Sequence, residues 1–191
     1  MLRVLLVDDT GKDMRILHDA LVAAGHVVVG EVGTALELID QAEKTAPDLI
    51  IVDTESPSRD VLEHVSVVSA HHPRPIVLFT DDGENASIQA ALTAGVSAYV
   101  VAGIQADRLQ PILDVAVARF EHDQALRGQL RDAQARLVER KLIERAKGIL
   151  MEQKGVTEER AYRLLRKLAM DRNAKLVDVA QQVVDVAKLL S

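Results

Sequence analysis

The chain has no cysteine and no tryptophan, and only two phenylalanines and two tyrosines among its 191 residues. Without cysteine it has no disulfide, no thiolate nucleophile and no cysteine-based zinc site, which suits a reducing compartment. So few aromatics make a base-stacking platform of the kind single-strand binders use hard to build, and any recognition of nucleic acid must rest mostly on charge and shape. No apolar run approaches the roughly 18 residues of a membrane span, and the opening MLRVLLVDD turns acidic too soon for a signal peptide. The expectation is a cytoplasmic protein with no membrane partner.

Chemistry for turnover is missing as well. The six histidines show no metal-ligand spacing, and Ser87 has no neighbouring Asp or His that would make it a nucleophile. Asp81 and Asp82 before Gly83 read as turn residues. No enzyme is expected.

The length suits one ordinary domain plus a small second one. The formal charge of −6 conceals an asymmetry. Residues 1–118 carry 7 Lys and Arg against 18 Asp and Glu, a net of −11, and residues 119–191 carry 16 against 11, a net of +5. The two parts have different electrostatic partners.

Over the first part, short β-branched runs alternate with helix-length amphipathic segments, the pattern of a parallel sheet covered on both faces. Strands are predicted over residues 3–7, 27–32, 49–52, 75–79 and 98–101, and helices over 13–24, 35–45, 58–71 and 84–94. Gly25 and Gly95 stand where helices should stop. In such sheets ligands sit beyond the carboxyl ends of the strands. There Asp8 and Asp9 follow the first strand and Asp53 ends the third. Three carboxylates converging on one edge repel one another unless a hard divalent cation sits among them, and Mg2+ suits such oxygen donors.

After Asp107 the pattern becomes one long helical stretch, with Pro111 expected in its first turn. Leu126, Leu130, Ala133 and Leu137 keep the 4-3-4 spacing of a coiled-coil seam for about two heptads, which points to a homodimer. Gly155 and Asn173 divide the remainder into three helices, Thr157 being a candidate cap for the second and Asn173 for the third. The second helix carries Arg160, Arg163, Arg166 and Lys167 on one side, Arg172 and Lys175 extend that ridge, and Lys147 and Lys154 are placed to face the same way. Such a ridge gives salt-dependent affinity for phosphates. Charge alone equally allows a solvated face balanced by Glu152, Glu158, Glu159 and Asp171.

Residues 1 to about 118 resemble the receiver domain of response regulators. The resemblance implies that Asp8 and Asp9 are a metal-binding pair, that Asp53 is the phosphoacceptor, and that Glu55 lends a backbone carbonyl to the metal. It also matches Pro57, makes Thr80 the switch hydroxyl, and makes Tyr99 the aromatic that moves with it. One departure stands out: where the family has Lys after the fifth strand, this chain reads Val101, Ala102, Gly103. Phosphorylation of Asp53 is therefore expected to be slower, less stabilised or not the signal at all, since the charge-assisted contact is lost.

AKGILMEQKGVTEERAYRLLRKLAMDRNAKLVDVA resembles the ANTAR domain, a three-helix RNA-binding module of transcription antiterminators. DTESPSRD, RPIVLFTDD and GVSAYVVAGIQADRLQPILDVA, with the RFEHDQALRGQL that follows, resemble the NasT branch of AmiR/NasT regulators, which shares the missing Lys. The expected fold is an α/β, flavodoxin-like five-stranded receiver joined by a long helix or coiled coil to a small three-helix all-α domain. Its parts are a receiver-like domain over 1–118, a helical coiled-coil linker over 119–138, and an ANTAR RNA-binding domain over 139–191. The resemblance implies a homodimeric antiterminator that binds paired hairpins in leader RNA, serves nitrate and nitrite assimilation genes, and answers to a nitrate-sensing partner protein. Lys147, Arg163, Arg166, Lys167, Arg172 and Lys175 are the candidate RNA contacts, with Tyr162 the one candidate for stacking on a base. A phosphorylation-dependent DNA-binding regulator and a phosphotransfer-only receiver protein remain as alternatives, although no convincing helix-turn-helix joins these helices.

Overall fold

The computed structural model describes residues 1–10, 14–101 and 106–190. The chain divides into two compact units, residues 1–124 and 125–191. The first is a parallel five-stranded sheet in which the strand second in sequence lies at one edge, followed by the first, third, fourth and fifth. Its strands are β1 (Arg3–Asp8), β2 (Val27–Val32), β3 (Leu49–Thr54), β4 (Ile76–Thr80) and β5 (Ala98–Val101). The connecting helices are α1 (Arg15–Ala23), α2 (Leu38–Thr45, after a 3-10 turn at Ala35–Glu37), α3 (Arg59–His71) and α4 (Asn85–Ala94). This is the flavodoxin-like order that the resemblance to receiver domains implies.

The central strands read as unbroken apolar runs because both faces are covered. Their side chains alternate between two cores, as the two-residue period of a strand requires. Leu5, Val7, Ile50, Val52, Ile76 and Leu78 form one core with Leu38 of α2, Val61 and Val65 of α3 and Ala91 of α4. Val4, Leu6, Leu49, Ile51, Val77 and Phe79 form the other with Leu17 and Leu21 of α1 and with Leu109 and Leu113. Those last two belong to α5 (Ala106–Lys154), the long helix. Since α5 begins at Ala106, Pro111 lies inside the helix, in its second turn and not its first, where its missing N–H removes one backbone bond.

Gly25 and Gly95 adopt positive φ, 82° and 103°, and end α1 and α4 as expected. At Gly95 an added Cβ would collide with the Ser69 Oγ and lie 2.7 Å from its Cβ, on top of the left-handed strain. Gly95→Ala is therefore expected to destabilise the receiver unit by about 2–4 kcal/mol. Gly128, in helical α5 with open space around its missing Cβ, is the contrast: Gly128→Ala should stabilise the helix by about 1 kcal/mol. Urea denaturation of the two variants checks both, and equal effects would remove the steric argument.

The second unit consists of the end of α5, α6 (Glu158–Asp171) and α7 (Leu176–Leu190) around Ala146, Leu165, Ala169, Val179, Ala180 and Val184. Gly155 terminates α5 at φ 63°. Thr157 occupies the N-cap position of α6, but its side chain accepts no helix N–H. Asn173 corrects the expectation for the next boundary: it stops α6 and does not cap α7. It sits at φ 48°, its N–H donates to the Met170 carbonyl and that of Ala174 to the Ala169 carbonyl. That pairing is a Schellman closure, which asparagine tolerates because its short polar side chain suits the left-handed conformation. Leu126, Leu130 and Leu137 on α5 are 49%, 59% and 58% exposed, an apolar stripe open to solvent.

Candidate functional site

Helix α6 forms because Ala161, Leu165 and Ala169 recur on one face and are buried. The opposite face must carry what remains, and in this sequence that is cationic. Arg160, Arg163, Arg166 and Lys167 are exposed, as are Arg172 and Lys175 beyond the helix end. Some of these charges are occupied. Arg163 Nη2 lies 3.5 Å from Glu159 Oε1, and Arg172 Nη1 donates to Gln182 Oε1 at 2.8 Å. Tyr162 is 41% exposed. At about 100° per residue it falls on the Arg166 flank of α6, roughly 160° from Leu164 on the other.

Lys147 departs from the expectation. It is only 8% exposed, and its Nζ lies 2.7 Å from Glu158 Oε1 and 2.8 Å from Glu144 Oε2. This takes it off the exposed ridge that its charge and its spacing to Lys154 suggest. Instead it ties α5 to the first turn of α6. Hydrogen bonds to Glu144 and then Glu158 raise the Lys147 pKa, and the Lys147 hydrogen bond holds the Glu158 carboxyl below its usual range.

A raised lysine pKa stabilises the fold fully below the unfolded lysine value near 10.5, and that contribution is lost as pH climbs through the folded one. A lowered carboxylate pKa stabilises above the unfolded value near 4.5, and that contribution is lost as pH falls through the folded one. Lys147→Met should thus lower the thermal midpoint of the second unit across this plateau and flatten both limbs. Melting curves against pH read this directly, and an acid limb identical to wild type would place the stabilisation elsewhere. Both glutamates are more than half exposed, so solvent screening keeps the effect modest.

In the first unit the parallel register sets Asp8 beside Asp53 across β1 and β3, and the Asp9 N–H donates to the Asp53 carbonyl at 2.9 Å. All three carboxylate residues therefore share one sheet edge. Asp8 Oδ1 accepts from the Thr10 N–H at 2.9 Å and the Thr10 hydroxyl at 2.6 Å. Thr80, opposite Thr54 on β4, donates its hydroxyl to the Glu55 carbonyl at 2.8 Å. Among the described residues no three His, Cys, Asp or Glu side chains converge as a ready-made metal cage. Oxygen donors of the type Mg2+ takes are at this edge, and an ion held by so few of them would keep several waters. Ala102, which stands where the receiver family has Lys, lies outside the described residues.

Asp82 has a larger part here than its place in a turn suggests. Its Oδ2 accepts from the hydroxyls of Ser56 at 2.9 Å and Ser87 at 2.7 Å, its Oδ1 accepts from the Glu84 N–H at 2.8 Å, and its carbonyl accepts from the Tyr99 hydroxyl at 2.8 Å. One residue so links the loop after β3, the start of α4 and strand β5. The Glu84 N–H, then Ser87 and Ser56, hold its carboxyl below the usual range. Burial, then the Asp82 charge, raise the Tyr99 pKa, so Tyr99 remains a neutral donor. The pair Asp82-Gly83 signals a turn in sequence, and nothing local announces the serines that reach it.

The response regulator receiver domain family matches residues 4–114, and the ANTAR domain family matches residues 131–184. Over 183 residues the chain is 35% identical to the transcriptional regulatory protein PdtaR of Mycobacterium tuberculosis, covering 96% of this chain and 89% of that protein. The chain belongs to the ANTAR-domain response regulators. Another relative of this response regulator is the nitrate regulatory protein of Klebsiella oxytoca, 47% identical over 83 residues, covering 43% of this chain and 21% of that protein. In fold, the ANTAR-domain regulator resembles the signal receiver domain of a modulated diguanylate cyclase from Desulfovibrio desulfuricans, with a TM-score of 0.57 at 22% identity over 64% of this chain and 98% of that one. No helix among the described residues is long and apolar enough to cross a membrane.

Proposed function

We propose that this regulator is a transcription antiterminator that binds hairpin-loop leader RNA through its ANTAR domain. The observation that carries the reading is the exposed cationic face of α6, Arg160, Arg163, Arg166 and Lys167, on a domain of that family within an acidic chain. Such a face gives affinity to phosphates whatever the sequence, and the loops of hairpins offer splayed bases beside them. Arg172 and Lys175 extend the face, and Tyr162 borders it. Exposed Leu126, Leu130 and Leu137 on α5 suit pairing with a second copy, so that two ANTAR domains hold two hairpins. No catalytic turnover is part of this function.

The partial likeness to a nitrate regulatory protein supports control of nitrate and nitrite assimilation genes, with a nitrate-sensing protein as the controlling partner. Asp8, Asp9, Asp53 and the Glu55 carbonyl are the groups that would hold Mg2+, which when bound offsets the negative charge around the Asp53 acceptor. With Ala102 in place of the family's Lys, a phosphoryl group on Asp53 would go without the contact that this lysine makes in the family. Asp53→Asn is accordingly expected to alter antitermination in vivo less than in an ordinary receiver, and its complete loss would make phosphorylation the main signal. The reading as a whole is tested by sequencing RNA that copurifies with the full chain, followed by gel shifts against the same leader as duplex DNA. Two-hairpin leaders are the expected yield, and preference for the duplex would favour the DNA-binding alternative.

A further inference from the structure

The exposed ridge accounts for phosphates but leaves open how a domain with a single exposed tyrosine would hold a base. Beside the ridge, on the flank of α6 opposite Tyr162, the surface between α5 and α6 sinks into a cleft of about 240 Å³ that Val183 of α7 closes from below. Leu150, Leu164 and Leu168 line it, and Lys154, Lys167 and Asp171 stand at its rim. We propose that this cleft receives one unstacked nucleobase of the hairpin loop, a base bearing an exocyclic amine, while Lys154 and Lys167 take the phosphates on either side of it. The inference rests on the RNA reading and assigns it a base-binding site.

Three observations select this occupant. The cleft is smaller than the roughly 300–1,000 Å³ of sites for drug-sized ligands, so it suits something near one ring system in size. Its interior is aliphatic, leucine with Val183, and accepts the flat apolar faces of a base while offering nothing to a sugar or a phosphate. Its rim carries charges of both signs: the side chains of Lys154, Lys167 and Asp171 have no hydrogen bond or ion pair among the described residues, unlike caged Lys147 and tethered Arg172. A nucleotide has the complement, anionic phosphates for the two lysines and an amine edge for the carboxylate. An aliphatic anchor from a protein partner would fill the interior and leave all three charges unanswered.

The experiment uses the full chain and the leader RNA recovered with it, resynthesised with an abasic site at each loop position in turn. With the wild-type chain, one abasic position is expected to cost about tenfold or more in affinity, the range for a base held by a side-chain platform. Leu164→Asn alters the lining at a residue that is 38% exposed. It should weaken intact RNA by a similar factor, leave the salt slope unchanged, and erase the penalty at that one abasic position. Asp171→Asn and Lys154→Gln, both at exposed positions, repeat the test without touching the apolar interior. The first should relax preference for the amine-bearing base, and the second should reduce the salt slope. An abasic penalty equal in wild type and Leu164→Asn, with RNA still bound, would overturn the cleft and leave the RNA reading standing. A change in oligomeric state in place of a change in RNA affinity would assign the cleft to a protein contact and overturn it too. Failure of the unmodified chain to bind any recovered RNA would sink both readings together.

Discussion

Replacing Arg166 and Lys167 with glutamate is expected to weaken leader-RNA binding about tenfold to a hundredfold near physiological salt. It should also make the plot of log affinity against log salt shallower by about 1.4–1.8, two phosphate contacts at roughly 0.7–0.9 each. These two cations are chosen because among the described residues neither is held by another side chain, whereas Arg163 approaches Glu159, Arg172 donates to Gln182, and Lys147 is enclosed by Glu144 and Glu158. A cation already paired within the fold gives up one partner to gain another, and little is left as net affinity. Arg166 and Lys167 are exposed side chains of α6, away from the buried Ala161, Leu165 and Ala169, so the substitutions leave the core intact. Filter binding from 50 to 300 mM salt, in rough steps spanning the screening range, reads both quantities. An unchanged slope would take this ridge out of the interface.

Charging the stripe on α5 should have a second large effect, on assembly. The wild type is expected to sediment as a dimer, and the chain with Leu130 and Leu137 both changed to glutamate as a monomer. Both side chains are more than half exposed in the single chain, so the substitutions remove little buried area and the fold should persist. In a pair of chains the same positions would bring like charges together across the seam. Affinity for a two-hairpin transcript should fall by about 10²–10⁴, because the second hairpin is no longer bound intramolecularly, while a one-hairpin transcript loses nothing. Equal losses on both transcripts, or a wild-type chain that is monomeric at micromolar concentration, would count against pairing through this helix.

Much of the fold was legible because its signals are local. The β-branched runs mark Val27–Val32 and Ala98–Val101 to the residue. The buried runs Val4–Val7 and Leu49–Val52 are apolar throughout, since both faces of their strands are covered. Gly25, Gly95 and Gly155 mark helix ends through a backbone conformation that other residues resist. The acidic edge was legible for the same reason: in a parallel sheet, residues that end neighbouring strands are neighbours in space, and register alone puts Asp8 beside Asp53.

What the sequence determined by itself, then, is the alternation that makes a two-faced parallel sheet, the helices that follow it, and the sign of charge each part carries. Tertiary structure alone decided the partner of each charge and each hydroxyl. Lys147 has the spacing of a ridge residue, yet Glu158, eleven positions on and in the next helix, captures it. Asp82 has the look of a turn residue, yet Ser56, 26 positions earlier, and Tyr99, 17 later, converge on it. Asn173 could have capped the helix ahead of it or ended the one behind, and the carbonyls of Ala169 and Met170 settled which. Periodicity fixes which way a side chain points from its own element. Whether it meets water, a carboxylate or a ligand depends on packing between elements far apart in the chain, and that is not written in any local run of residues.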